Sequence, residues 1–105
     1  MEQPNLNYIQ TLSGGDLDFE KKIIEILKQE FPEEKSVYEN CITQENFKET
    51  AEIVHKIKHK MSIVGLEKSY ELAVNYEKKL LNNSTELRGE FESVLETMQN
   101  YIENL

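Results

Sequence analysis

Residues that force a backbone to turn are scarce here: the 105-residue chain contains four glycines and two prolines. Sheets and hairpins need frequent Gly, Pro and Asn/Asp punctuation between short strands. Apolar residues instead recur at three- and four-residue steps, the repeat of one face of a helix. The expected class is therefore all-α. The length is that of one domain, residues 1–105, at roughly 100–200 residues per domain.

The punctuation divides the chain into about six helical segments. The first runs roughly from Leu6 to Leu12 and stops at Ser13-Gly14-Gly15. Asp16 stands where an N-cap belongs, and a second helix follows to about Phe31. Its stripe includes Phe19, Ile23, Ile26, Leu27 and Glu30. Pro32 is expected to end it, because the residue before a proline disfavours the helical region. Pro32 would then open a third segment, roughly Glu33 to Ile42. Thr43 is the expected cap of a fourth helix, Gln44 to Ile63, with Gly65 marking its end. The fifth spans about Leu66 to Leu81, with Ala73, Val74, Glu77 and Leu80 on its stripe. The sixth spans about Thr85 to Glu103. The expected architecture is an antiparallel four-helix bundle with one or two additional short N-terminal helices.

Twenty acids against twelve bases give a formal net charge of −8. That argues against general nucleic-acid binding, which depends on Lys and Arg neutralising phosphates. It equally disfavours an anionic membrane surface as partner. Cys41 is the only cysteine, which excludes an internal disulfide or a CxxC metal knuckle. A lone thiol suits a reducing compartment. The first residues, Met1 to Asn5, lack the charged and apolar regions of a signal peptide. The expected location is cytoplasmic.

Both histidines, His55 and His59, fall on the fourth segment. Its apolar stripe centres near Phe47, Val54 and Met61. His55 lies roughly 100° from Val54 and His59 roughly 140°, so both should face away from the core. Lys58 falls at the core boundary, where its stem can pack and its ammonium reach water. Lys56 and Lys60 are expected further round. The run His55-Lys-Ile-Lys-His-Lys60 is the one concentrated basic stretch of an acidic chain. Neutral imidazole is a nucleophile near pH 7, and ammonium groups beside it would offset the charge of a phosphoryl group. No glycine-rich phosphate loop is present, so self-phosphorylation from ATP is not expected.

The segment from His55 to Gly65 resembles the signature of histidine-containing phosphotransfer domains. In that signature a His is followed at fixed offsets by an apolar residue, a Lys and, ten positions on, a Gly. His55, Ile57, Lys58, Val64 and Gly65 fall in register. The upstream run Tyr8 to Asp16 is similar to the family's opening, a short helix ending in a Gly-Gly-Asp turn. The likeness covers roughly residues 6 to 103. It implies a phosphorelay carrier without catalytic activity of its own. His55 would accept a phosphoryl group from a receiver-domain aspartate and pass it to a second receiver, with Lys58 stabilising the group. The partners implied are response-regulator receivers and a hybrid histidine kinase. The carrier itself needs no cofactor, because Mg²⁺ would be held by the receiver. Docking would fall on Lys48, Ala51, Glu52, Lys56, His59 and Ser62, with Gly65 as a structural element. An open histidine face implies a monomer. The chain departs from the family where His59 replaces the usual Gly, and where Met61 replaces a small residue.

Two other classes fit the same residues. One is an inert helical adaptor that binds a signalling partner without being phosphorylated. The other is a metal site, since His55 and His59 have the i, i+4 spacing of two imidazoles on one ion. Only two ligands are evident, however, against the three or four that zinc normally takes. Flanking lysines would also repel a cation. A functional metal site is therefore not expected from the sequence, and adventitious zinc or nickel binding ranks ahead of one. Tyr and Phe residues at helical spacing read as core, and Cys41 as a small packing residue.

Overall fold

Helix formation begins where the sequence supplies caps. In a computed structural model, which describes residues 2–105, Asp16 accepts hydrogen bonds from the N–H groups of Asp18 and Phe19. Five helices result: α1 (Asn7–Ser13), α2 (Leu17–Thr43), α3 (Phe47–Ile63), α4 (Glu67–Leu81) and α5 (Arg88–Glu103). No strand occurs among the described residues. Gly14, in the left-handed region at φ 61°, terminates α1 as expected.

Three expectations about helix boundaries fail. Pro32 does not end a helix; it lies inside the 27-residue α2. The buried residues Leu27, Phe31, Tyr38 and Ile42 keep one helical phase straight through it. Pro32 and Lys28 both face outward, so water can reach the Lys28 carbonyl that has lost its N–H partner. Burial on both sides of the proline outweighs the local penalty, and the second and third segments are one helix. Thr43 is likewise the last residue of α2 rather than a cap. Asn46 caps α3, accepting from the Glu49 N–H at 3.2 Å. The sixth segment begins at Arg88 rather than Thr85, after a turn in which Ser84 Oγ accepts from the Glu86 N–H.

Helix α3 packs between α2 and α4, and α5 packs against both α2 and α4, while α1 lies on α2. The long dimension of the fold is 44 Å, close to the roughly 40 Å expected for α2 at 1.5 Å per residue. The core is centred on Phe31, Tyr38, Ile57, Met61, Tyr76, Phe91 and Met98. Tyr38 and Tyr76 bring hydroxyls into it and solve the polar cost together. Their oxygens are 2.8 Å apart, and Tyr38 also donates to Glu92 at 3.0 Å. Burial raises both phenol pKa values, Tyr38's further because of its Tyr76 and Glu92 neighbours.

The N-terminal arm closes the α3–α4 corner. Gly65 has φ 78°, and a Cβ there would lie 2.7 Å from the Asn5 side chain. The Asn5 N–H donates to the Val64 carbonyl at 2.8 Å. Leu66 gives α4 no side-chain cap; Glu2 supplies one from a distance. Its carboxylate accepts from the Lys68 and Ser69 N–H groups and from Ser69 Oγ, at 2.9, 3.0 and 3.1 Å. Burial pulls the Glu2 pKa upward, but these donors outweigh it and hold the carboxyl below its usual range. No helix among the described residues is long and apolar enough to cross a membrane.

Candidate functional site

The helical phase of α3 places its two imidazoles outside the core, as its period requires. His55 is 57% exposed, and His59 is exposed one turn further along. What the phase alone does not show is the neighbour. Helix α4 runs beside α3 and brings Glu77 against it. Glu77 Oε1 lies 2.8 Å from His55 Nδ1, and Glu77 Oε2 lies 2.8 Å from Lys58 Nζ. One carboxylate therefore holds the ring with one oxygen and the ammonium with the other. Lys58 is buried, and its ammonium also stands 5.5 Å from the centre of the Tyr70 ring.

This arrangement fixes the chemistry of His55. An ionised carboxylate can only accept hydrogen bonds. The proton of the neutral ring therefore sits on Nδ1, and the lone pair sits on Nε2. That nitrogen faces His59 Nε2 at 3.4 Å, with the two rings nearly perpendicular at 88°. The site is an oriented, solvent-facing imidazole whose free nitrogen points at a second imidazole.

The anticipated docking residues divide. Lys48, Ala51, Glu52 and Lys56 line an open groove around His55, closed on the α4 side by Glu77 and Leu81. Ala51 forms its floor and is buried, whereas Leu81 on the rim is 64% exposed. Ser62 is exposed but further along α3, and Gly65 acts at the corner described above. Among the described residues, Lys48 and Lys56 have no carboxylate within ion-pair distance, so Lys56 is the unneutralised lysine of the basic stretch and Lys48 a second free ammonium on the groove.

Lys60 does not lie round the outer face as expected. It is buried, with Nζ 2.9 Å from both Glu30 Oε1 and Glu34 Oε2 of α2. The reason is that α3 is flanked on two sides. Its buried arc extends about 120° from Val54 toward α2, which takes in Lys60, and about 60° toward α4, past Lys58 to Ala51. Burial opposes the charge on Lys60, but the bonds from Glu34 and Glu30 outweigh that and raise its pKa. Glu34 Oε1 remains buried without a partner.

Glu77 is the residue of the candidate site that sequence reasoning passed over. Its signal was present: an acid on an otherwise apolar stripe. Glu30 carried the same signal. Cys41 is half-buried, and its thiol pKa is raised by burial and then by Glu49 and Glu52, which suits a packing residue rather than a nucleophile. No group of three or more His, Cys, Asp or Glu side chains among the described residues is gathered at metal-binding spacing. Compared with family models, curated proteins and solved structures, the chain has no match.

Proposed function

We propose that this chain is a phosphoryl carrier of the phosphorelay type, built as an antiparallel four-helix bundle of α2–α5 with α1 appended. The observation that carries the reading is the Glu77–His55 contact, because it leaves Nε2 of an exposed ring as a free nucleophile. The Nε2 lone pair would attack the phosphorus of an aspartyl phosphate on a receiver domain. The P–O bond to the aspartate breaks, and the aspartate leaves as a carboxylate. Nε2 carries no proton to lose, and the positive charge that develops on the ring is offset by Glu77 through Nδ1–H. The receiver contributes the Asp and the Mg²⁺, so this chain's part is to orient one ring.

Lys58 serves this reading through Glu77. It shares the carboxylate with His55 and holds that acid in place. His59 is the group nearest the reacting nitrogen. The groove beside His55, with its apolar floor and the free ammonium groups of Lys48 and Lys56, is where an acidic receiver face would rest. The cytoplasm is the compartment in which such a relay operates.

A second reading is favoured by one contact. His59 Nε2 stands 3.4 Å from His55 Nε2, on the path an incoming phosphorus would take. An adaptor that binds a signalling partner without being phosphorylated fits that obstruction. Incubation with phosphorylated receiver domains separates the two. A carrier acquires acid-labile, base-stable phosphate, retains it in His59→Gln and loses it in His55→Gln. A folded chain that binds a receiver yet takes no label from any of a panel is the adaptor.

A further inference from the structure

Two imidazole nitrogens 3.4 Å apart can share only a long N–H···N hydrogen bond, beyond the range of about 2.7–3.2 Å usual for N–H···O bonds. The spacing also suits another role. Two Zn–N bonds of about 2.0–2.1 Å meeting at the tetrahedral angle place their nitrogens about 3.3–3.4 Å apart. A right-angled pair of such bonds, as in a square-planar or octahedral site, would bring them to about 2.9 Å. From this geometry we infer that His55 and His59 form a two-imidazole site for a divalent transition metal ion, of which Zn²⁺ fits best.

Three features of the surroundings support it. The ligand that matters most is already oriented: a carboxylate on the far ring nitrogen of a metal-binding histidine fixes its tautomer and ring orientation, and Glu77 stands in that position on His55 at 2.8 Å. Both rings are solvent-facing, so water can fill the remaining coordination positions. The lysines that should repel a cation are compensated. Lys58 is held by Glu77, and Lys60 is held by Glu30 and Glu34 on the α2 side. The objection raised by the sequence, that a run of lysines surrounds the pair, therefore falls on Lys56 alone. Neither ring nor spacing depends on the phosphoryl-carrier reading. One consequence does rest on it: a metal ion on Nε2 occupies the lone pair that would attack phosphorus, so bound metal and phosphoryl acceptance exclude each other.

The test is calorimetric titration of the untagged full chain with ZnCl₂, accompanied by visible spectroscopy with CoCl₂. One equivalent of Zn²⁺ is expected to bind. Both His55→Gln and His59→Gln should weaken binding at least tenfold, and Glu77→Gln about tenfold. Bound Co²⁺ should show the intense visible bands of tetrahedral coordination. Binding of equal strength in the His55→Gln/His59→Gln double variant would overturn the proposal, placing the ion on surface carboxylates. So would absence of saturable binding to the wild-type chain, or a weak, six-coordinate Co²⁺ spectrum. If phosphotransfer is never observed, these outcomes still decide the metal site. If it is observed, saturating Zn²⁺ should suppress it in the wild-type chain.

Discussion

Glu77 lies 22 residues beyond His55 in the chain, yet its carboxylate sits 2.8 Å from the ring's Nδ1. The same acid holds the buried Lys58 with its other oxygen. One side chain of α4 therefore sets both the orientation of the exposed imidazole and the charge balance of the α3–α4 seam. Glu77→Ala should leave the Lys58 ammonium buried and unpaired, at a cost of about 3 kcal/mol in urea unfolding, the lower end of the range for breaking a buried pair. Glu77→Gln, which retains shape and an acceptor, should cost less. Both variants should slow phosphoryl acceptance at His55. Equal stability of Glu77→Ala and wild type would contradict the ion pair.

Pro32 is a fault that the tertiary contacts of α2 overcome. Replacing it with Ala restores the N–H to the Lys28 carbonyl and removes the ring, on an exposed face with nothing to disturb. Pro32→Ala should stabilise the protein by about 1–3 kcal/mol, within the interior-helix penalty of proline. A thermal melt that is unchanged or lower would show that the proline shapes α2 in a way the packing requires.

Lys60 makes stability depend on pH at the alkaline end. Its folded pKa is raised above the ordinary lysine value of about 10.5. Its contribution is therefore complete below that ordinary value and is lost as pH rises through the higher folded one. Thermal melts above pH 10 should fall more steeply for wild type than for Lys60→Met. At neutral pH, Lys60→Met should cost about 3 kcal/mol, the lower end of the range for breaking a buried pair, because it leaves the half-buried Glu34 without its ammonium. Adding Glu34→Leu should recover much of that loss, since an apolar pair can replace a buried ionic one.

The opposite sign applies to Glu2. Its folded pKa is lowered, so its contribution is present above the ordinary carboxyl value and is lost as pH falls through the folded one. Glu2→Gln should destabilise by about 0.5–1 kcal/mol at pH 7, the size of a helix-cap and helix-dipole effect. The gap between the two proteins should close as the solution is acidified. Amide exchange at Lys68 and Ser69 reports the same loss directly, and protection unchanged by the substitution would argue against the cap.

Two glycines should respond in opposite directions to alanine. Gly65→Ala meets a positive φ and an Asn5 side chain at 2.7 Å, and should cost about 1–3 kcal/mol. Gly89 is helical, in the first turn of α5, with nothing within 4 Å of its Cβ position. Gly89→Ala should stabilise by up to about 1 kcal/mol. Denaturant midpoints of the two variants on opposite sides of wild type are the expected result.

Much of this was legible before any coordinates. Periodicity and the scarcity of turn residues gave the helical class. Asp16 and Gly14 marked ends that hold in three dimensions, and the angular offset of His55 and His59 from Val54 put both on the outside. These are local properties: a cap bonds to residues two or three positions away, and a helix face follows from 100° per residue. Where a local rule competed with packing, it lost. The proline penalty is a few kcal/mol in one turn, whereas Leu27, Phe31, Tyr38 and Ile42 are buried on both sides of it. Lys60 was misplaced because a single stripe was assumed for a helix that turns out to be flanked by two neighbours. The acids on the stripes, Glu30 and Glu77, could be read as exceptions to the pattern but not paired, since no local rule reaches from α2 to α3 or from α3 to α4. The sequence alone determined that this chain is helical and that its histidines face water. The tertiary structure decided which carboxylate holds which cation, and so which nitrogen of His55 is free, because those partners meet only when the helices pack.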